Sequence, residues 1–203
     1  MAKYIAVAGT MGSGKSSLVR FLCDRYPNIR PFYERNEENP YLEDFYRNME
    51  RWAFQSQVYF LTLKYQTHQS LKKETRTVIQ DRTIYEDAEV FAENLHKRNI
   101  LVGRDYQAYR RLYETILENL NPPDLLIYLK TSVRTVKKRI ALRGRKFEAG
   151  VDAEYLKDLG ALYRRFIGSY RQSPILTIDA DRLDFLNDLV DRIEVLEAIE
   201  KHL

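Results

Sequence analysis

Residues 9–16 read GTMGSGKS, which sets Gly9, Gly14, Lys15 and Ser16 in the pattern G-x-x-x-x-G-K-[ST]. That spacing suits a phosphate-binding loop. Glycines let backbone N–H groups turn inward around an anion, and a helix opening directly after them adds the positive end of its dipole. Lys15 would reach the β- and γ-phosphates of a nucleotide, and Ser16 would ligate Mg²⁺. The plain alternative is a Gly/Ser-rich turn ahead of an ordinary helix. Context argues against it: Tyr4 to Ala8 read as a short buried strand, and Leu18, Phe21 and Leu22 recur at helical spacing after the loop.

Carboxylates and cations follow other strand-like runs. Asp81 comes directly after Thr77 to Gln80, where it can hold Mg²⁺ beside a phosphate loop or cap the helix that begins near Ile84, a role open to Thr83 as well. Glu34 closes the run Ile29 to Tyr33. A carboxylate there can take the proton of an attacking hydroxyl, although Glu37 and Glu38 beside it suit a solvated acidic loop better on residue chemistry alone. The stretch VRTVKKRIALRGRKFEAG concentrates cations, among them Arg134, Lys137, Lys138, Arg139, Arg143 and Arg145, of which Arg139 and Arg143 stand one helical turn apart. Gly144 breaks that helix, leaving Arg145 on a loop that can close over a triphosphate. The stretch lacks stacking aromatics apart from Phe147, which argues against a nucleic-acid platform. His68, His96 and His202 have no metal-ligand spacing, and the single cysteine, Cys23, cannot form an internal disulfide, as suits a reducing compartment.

For these residues to meet, strands must deliver them to one edge of a sheet. Strands are expected at Lys3 to Ala8, Ile29 to Tyr33, Thr77 to Gln80, Leu125 to Lys130 and Ile175 to Ile178, alternating with helices as in an α/β fold. The clearest helices run from about Arg51 to Lys73, with Trp52, Val58, Leu61 and Tyr65 as an apolar stripe, and from Asp184 to the C-terminus. In an open parallel sheet, ligands collect beyond the carboxyl ends of strands, where Gly9 to Ser16, Glu34 and Asp81-Arg82 fall. A length of 203 residues suits one domain, residues 1–203, and 44% hydrophobic with 31% charged residues excludes disorder. No apolar run is long enough to cross a bilayer, so the expected location is the cytoplasm, without membrane partners.

Taken with the phosphate loop, WAFQSQ at 52–57, QDRTIYED at 80–87 and RIALRGRKFEAG at 139–150 give a chain that resembles the bacterial deoxynucleoside kinases of the deoxycytidine, deoxyguanosine and deoxyadenosine kinase group, over nearly its whole length. The resemblance implies a P-loop kinase fold, with a five-stranded parallel sheet flanked by helices and an arginine-rich lid at about 143–150. It implies ATP as phosphoryl donor, Mg²⁺ as cofactor and a deoxynucleoside as acceptor. Glu34 would be the general base for the 5′-hydroxyl, Arg82 would hold that carboxylate and the 5′-oxygen, and Asp81 would serve Mg²⁺. Arg139, Arg143 and Arg145 would clamp the phosphates. Met11, Gly12, Ser13 and Ser17 would complete the nucleotide loop, and Asp184 and Phe185, opening the last helix, would contact the adenine of ATP. On the nucleoside, Tyr46 and Glu154 would bind the 3′-hydroxyl, Gln55 the base edge and Phe91 the base face, with Asp87 near the exocyclic group.

Two departures stand out. Glu34-Arg35 replaces the Glu-Pro of many relatives, and Thr62 stands where vertebrate deoxycytidine kinases carry an arginine about two helical turns after the glutamine. An amide at Gln55 and an ionised Asp87 favour a base with an exocyclic amine, so deoxyadenosine or deoxycytidine is expected over thymidine, and the room left at Thr62 leans toward deoxyadenosine. A nucleoside monophosphate kinase of the thymidylate kinase type is the competing enzyme, disfavoured by the acid at Glu34 where the acceptor's phosphate would sit. A nucleotide-dependent switch is the non-enzymatic alternative, though the guanine-reading N-K-x-D is missing. The aromatic-rich surface around Trp52, Phe54, Tyr59, Phe60 and Tyr65, with the resemblance, points to a homodimer through the long helix.

Overall fold

Near-continuous apolar runs become the strands that the fold covers on both faces. The computed structural model describes residues 2–145 and 151–202. In it β1 (Tyr4–Ala8), β2 (Arg30–Phe32), β3 (Val78–Asp81), β4 (Leu125–Lys130) and β5 (Ile175–Asp179) form a five-stranded parallel sheet in the order β2-β3-β1-β4-β5. Alternate residues serve opposite faces. Ala6, Ala8, Leu126 and Tyr128 join one apolar cluster, while Ile5, Val7, Leu125, Ile127 and Leu129 join the other.

The second cluster is closed by α1 (Lys15–Arg25) and α9 (Leu189–Glu200), through Leu18, Val19, Leu22, Val195 and Ile199. Burial of Leu18 and Leu22 contributes roughly 1.5–3 kcal/mol each and anchors the helix that carries Lys15 and Ser16. The first cluster lies under the remaining helices. These include α2 (Leu42–Arg47), α3 (Met49–Leu71), α6 (Gly103–Leu117), α7 (Val133–Arg143) and α8 (Ala153–Ser169). Between β3 and α6 the chain forms α4 (Ile84–Glu86), a π-helical turn over Asp87–Ala92, and α5 (Glu93–Lys97). Among the described residues no helix is long and apolar enough to cross a membrane.

Two expectations need correction. The last helix starts at Leu189, five residues after Asp184, because the Asp188 carboxylate accepts the N–H groups of Val190 (2.8 Å) and Asp191 (3.0 Å) as its cap. Asp184 instead accepts the N–H groups of Leu186 and Asn187 in the preceding turn. On α3 the buried residues are Ala53, Ser56, Gln57, Leu61, Leu63, Lys64, His68 and Leu71, whereas Trp52 and Val58 are half-buried and Tyr65 is exposed. Of the expected lid at about 143–150, Arg143 ends α7 and Gly144 terminates it in the left-handed region, while residues 146–150 lie outside the described residues.

Candidate active site

The carboxyl ends of β1, β2 and β3 converge on the phosphate loop. Gly9 leaves β1 at φ 151°, and a Cβ there would stand 2.6 Å from Ser13 Oγ and 3.0 Å from the Leu129 carbonyl oxygen, so the turn has room only for hydrogen. Gly14, at φ 103°, turns the chain into α1 without a side-chain cap, which leaves the first N–H groups of the helix to an incoming anion. Glu86 accepts the Gly9 N–H (3.1 Å), and the Tyr163 hydroxyl lies 2.8 Å from both the Gly9 carbonyl oxygen and the Glu86 carboxylate. The same carboxylate accepts the Thr83 N–H (2.8 Å), so Thr83 rather than Asp81 caps α4.

Lys15 is 6% exposed and folds back to donate to the carbonyls of Gly9 (2.9 Å) and Thr10 (3.1 Å). Burial, and then the Arg82 charge, push its ammonium down to about 8. Ser16 donates to Asp81 Oδ2 (2.5 Å), and the other oxygen, Oδ1, is buried without a hydrogen-bond partner among the described residues. A hydroxyl beside a carboxylate with an orphaned buried oxygen fits Mg²⁺, which takes one or two protein oxygens and completes its shell with water and phosphate. Arg139 reaches the Ser13 carbonyl (2.8 Å) and the Ala180 carbonyl (3.0 Å), bracing the loop from α7.

Beside the loop lies a buried ion cluster. Glu34 Oε1 is 3.2 Å from Arg82 Nη1 and 3.2 Å from Lys64 Nζ, and Asn36 donates to Oε2 (3.2 Å). Burial alone would raise the Glu34 carboxyl, but Arg82, Lys64 and Lys15 hold it well below the usual carboxylate range. The Arg82 guanidinium also lies over the Phe91 ring at 4.4 Å. Its backbone is left-handed at φ 65°, an uncommon state for a non-glycine residue.

Two cavities open on the phosphate loop, the first of them also on Glu34 and Arg82. One of about 260 Å³ is lined by Glu34, Tyr46, Gln57, Asp87, Phe91 and Tyr155, among others; the second, of about 360 Å³, by Ser17, Arg139, Leu183, Asp184, Phe185 and Leu186. Gly12, Lys15, Ser16, Arg143 and Arg145 line both, so the two spaces meet at the phosphate loop. Such an arrangement can bring a phosphorylated ligand in the second space against an acceptor in the first. In the first cavity Gln57 Oε1 and Asp87 Oδ2 are buried acceptors without partners among the described residues, and burial pushes the Asp87 carboxyl up to about 7.

The structure departs from the sequence reading on the base side. Gln55 does not line the cavity; oriented to satisfy its neighbours, its amide donates to the Arg51 carbonyl (3.3 Å) and accepts from the Arg51 guanidinium (2.9 Å). Gln57 faces the cavity instead, because only its position falls in phase with the buried side of α3. Thr62 is exposed and bonds the Val58 carbonyl, so it creates no room in the site; two helical turns after Gln57 the residue is Lys64. Glu154 is exposed in the first turn of α8 and outside the lining, where Tyr155 stands. Lys64, Glu86, Tyr155 and Tyr163 went unassigned in the sequence. Of these only Glu86 carries a local signal, the T-x-x-E of Thr83 to Glu86 that marks a capping box.

Known proteins resemble this chain over most of its length. A family model described as deoxynucleoside kinase matches residues 5–203. A deoxyadenosine/deoxycytidine kinase of Bacillus subtilis (strain 168) is 34% identical over 188 residues, covering 91% of this chain and 85% of the relative. A deoxyguanosine kinase of Lactobacillus johnsonii is 37% identical over 208 residues, covering 96% and 90%. Among solved structures, deoxyadenosine kinase from M. mycoides with bound dATP superposes with a TM-score of 0.85 at 31% identity, covering 98% of this chain and 99% of that one.

Proposed function

The chain belongs to the deoxynucleoside kinase family, and we propose that its two cavities hold the two substrates of one transfer, from the γ-phosphoryl of ATP to the 5′-hydroxyl of a deoxynucleoside. The meeting of both spaces on Lys15 and Ser16, with Glu34 and Arg82 beside them, is the observation that carries this reading. ATP lies in the larger space, its phosphates toward Lys15 and the N-terminus of α1 and its adenine toward Asp184 and Phe185. The deoxynucleoside lies in the smaller one, its base near Phe91 and its sugar near Tyr46.

The 5′-oxygen bonds to the γ-phosphorus, the bond from that phosphorus to the β,γ-bridging oxygen breaks, and ADP leaves with that electron pair. The hydroxyl proton passes to Glu34. A carboxylate held so firmly ionised is a weak base, so Glu34 first accepts the hydroxyl's hydrogen bond and takes the proton as the new O–P bond forms. Arg82 fixes both the carboxylate and the attacking oxygen, and Lys15, Arg139, Arg143 and Arg145 offset the charge on the phosphoryl oxygens. Ser16 and Asp81 would hold Mg²⁺, which when bound would supply positive charge against the triphosphate.

Base preference follows from Gln57 Oε1 and, in its ionised form, Asp87 Oδ2, both without hydrogen-bond partners among the described residues. An exocyclic amine brings two hydrogens, as in adenine and cytosine, whereas thymine brings one N–H between two carbonyl oxygens. Deoxyadenosine or deoxycytidine is therefore preferred over thymidine. The aromatic face of α3, with Trp52, Tyr59 and Tyr65 half-buried or exposed, supports a homodimer through that helix, and the cytoplasm, where ATP is at hand, suits the reaction. Initial rates with ATP and Mg²⁺ for the four deoxynucleosides and their monophosphates test the reading. ADP should form one-for-one with a deoxynucleoside 5′-monophosphate, thymidine being a poor acceptor. Turnover of monophosphates alone would replace the proposal.

A further inference from the structure

A lysine buried in the middle of a long helix calls for a reason, since burying an ammonium is costly unless it is paired and hydrogen-bonded. Lys64 sits near the middle of α3 with its side chain 5% exposed. Its Nζ lies 3.2 Å from Glu34 Oε1 and donates to the Arg82 carbonyl oxygen at 3.1 Å. Arg82 in turn places Nη1 3.2 Å from the same Glu34 oxygen, and its own N–H is fixed to the Val7 carbonyl (3.0 Å). The contacts close a ring from Lys64 to Glu34, to the Arg82 guanidinium, along the Arg82 main chain and back to Lys64.

We propose that Lys64 is a positioning residue for the transfer, tying the Glu34 carboxylate to the left-handed backbone at Arg82 so that the two groups facing the acceptor hydroxyl move as one unit. This rests on the reading that Glu34 and Arg82 act at the 5′-hydroxyl. Two features distinguish the contact from simple charge neutralisation. Lys64 acts on the Asp87 carboxylate as well as on Glu34, but its hydrogen bonds go to the Glu34 carboxylate and the Arg82 carbonyl oxygen, so its directed contacts join those two groups. The second bond of Lys64 goes to the main-chain carbonyl of Arg82, whose backbone is left-handed, and an external donor there fixes the peptide orientation and with it the direction of the guanidinium. Lys64 touches neither reactant in this reading, so its effect passes through Glu34 and Arg82.

The experiment is a double-mutant cycle of Lys64→Met and Glu34→Gln, with kcat and KM measured for the best of the four deoxynucleosides and ATP affinity measured by titration. Lys64→Met should lower kcat about 10- to 100-fold with nucleoside KM and ATP affinity within about threefold, since only the alignment of the reacting groups is lost. In the Glu34→Gln background the same substitution should lower kcat by less than about threefold. Lys64→Arg, which keeps a donor and the charge, should retain more kcat than Lys64→Met. If Lys64→Met fails to fold, the comparison of Glu34→Gln with the double variant still decides, because neither leaves the Glu34 carboxylate without its lysine. Losses that multiply in full, or a Lys64→Met effect confined to KM, would overturn the proposal. Wild-type kcat in Glu34→Gln alone would remove the role given to Glu34, and this proposal with it.

Discussion

Without a nucleotide, Lys15 holds its charge in a buried setting against the like charge of Arg82, and this should be measurable as a stability that rises with pH. The gap between 10.5 in an unfolded chain and about 8 in the fold corresponds to about 3 kcal/mol against folding at neutral pH. Below pH 8 both states keep the proton and the penalty is complete. Between 8 and 10.5 the folded state gives up its proton first, so the penalty shrinks by at most about 1.4 kcal/mol per pH unit and is gone above 10.5. Lys15→Met removes this dependence. It also strips two hydrogen bonds from the carbonyls of Gly9 and Thr10, a loss of about 1–3 kcal/mol that does not vary with pH. Urea unfolding of both proteins in EDTA, at about pH 7.5 and about pH 9.5, separates the two effects. Wild type should gain about 2 kcal/mol relative to Lys15→Met between those values, other titrating groups being common to both. A saturating nucleotide at the lower pH should stabilise wild type far more than the variant, because the phosphates supply the missing counter-charge. Parallel pH curves for the two proteins would refute the burial argument for Lys15.

Glu34→Gln should lower kcat at least about 100-fold with nucleoside KM little changed, as steady-state rates would show. Gln57→Leu should reduce kcat/KM for deoxyadenosine and deoxycytidine by a factor of about 5–150, while Gln55→Ala stays within about threefold; the reverse ranking would return the base-reading role to Gln55. His68 accepts the Asn121 N–H (3.2 Å), and burial, followed by the Lys72 charge, lowers its imidazole to about 4. Its neutral form is therefore the folded one, and wild type should lose stability relative to His68→Gln as pH falls from about 6.5 to 4, followed by urea midpoints.

What could be read from the sequence was local. Each strand lies within one residue of its expected ends, because apolar β-branched runs bounded by Gly, Pro and charges carry their own limits. The phosphate loop is likewise one contiguous pattern. Helical phase was harder, since Trp52 and Tyr65 mimic a core stripe by size and chemistry while the buried side of α3 is marked by Ser56, Gln57, Lys64 and His68. The expected phase put Gln55 toward the site, whereas the amide that lines the cavity is Gln57, and the residue two turns after it is Lys64 rather than Thr62. Polar residues on the inner face of a helix are legible only once their partners are known, and Glu34 and Arg82 reach Lys64 from 30 and 18 positions away. The start of α9 failed for a related reason: Asp184 and Asp188 are both good caps, and the fold uses the second.

The grip on Gly9 has a thermodynamic consequence. With its N–H held by Glu86 and its carbonyl oxygen contacted by Tyr163 and Lys15, the entrance to the loop is ordered by the fold itself before any phosphate arrives. Its loss of conformational freedom belongs to the free energy of folding, where the packing around β1 offsets it, and is absent from the free energy of binding. The affinity for a triphosphate is thereby uncoupled from the entropy of shaping its cradle. Glu86 and Tyr163, which a ligand need never touch, set that affinity through the unliganded state alone.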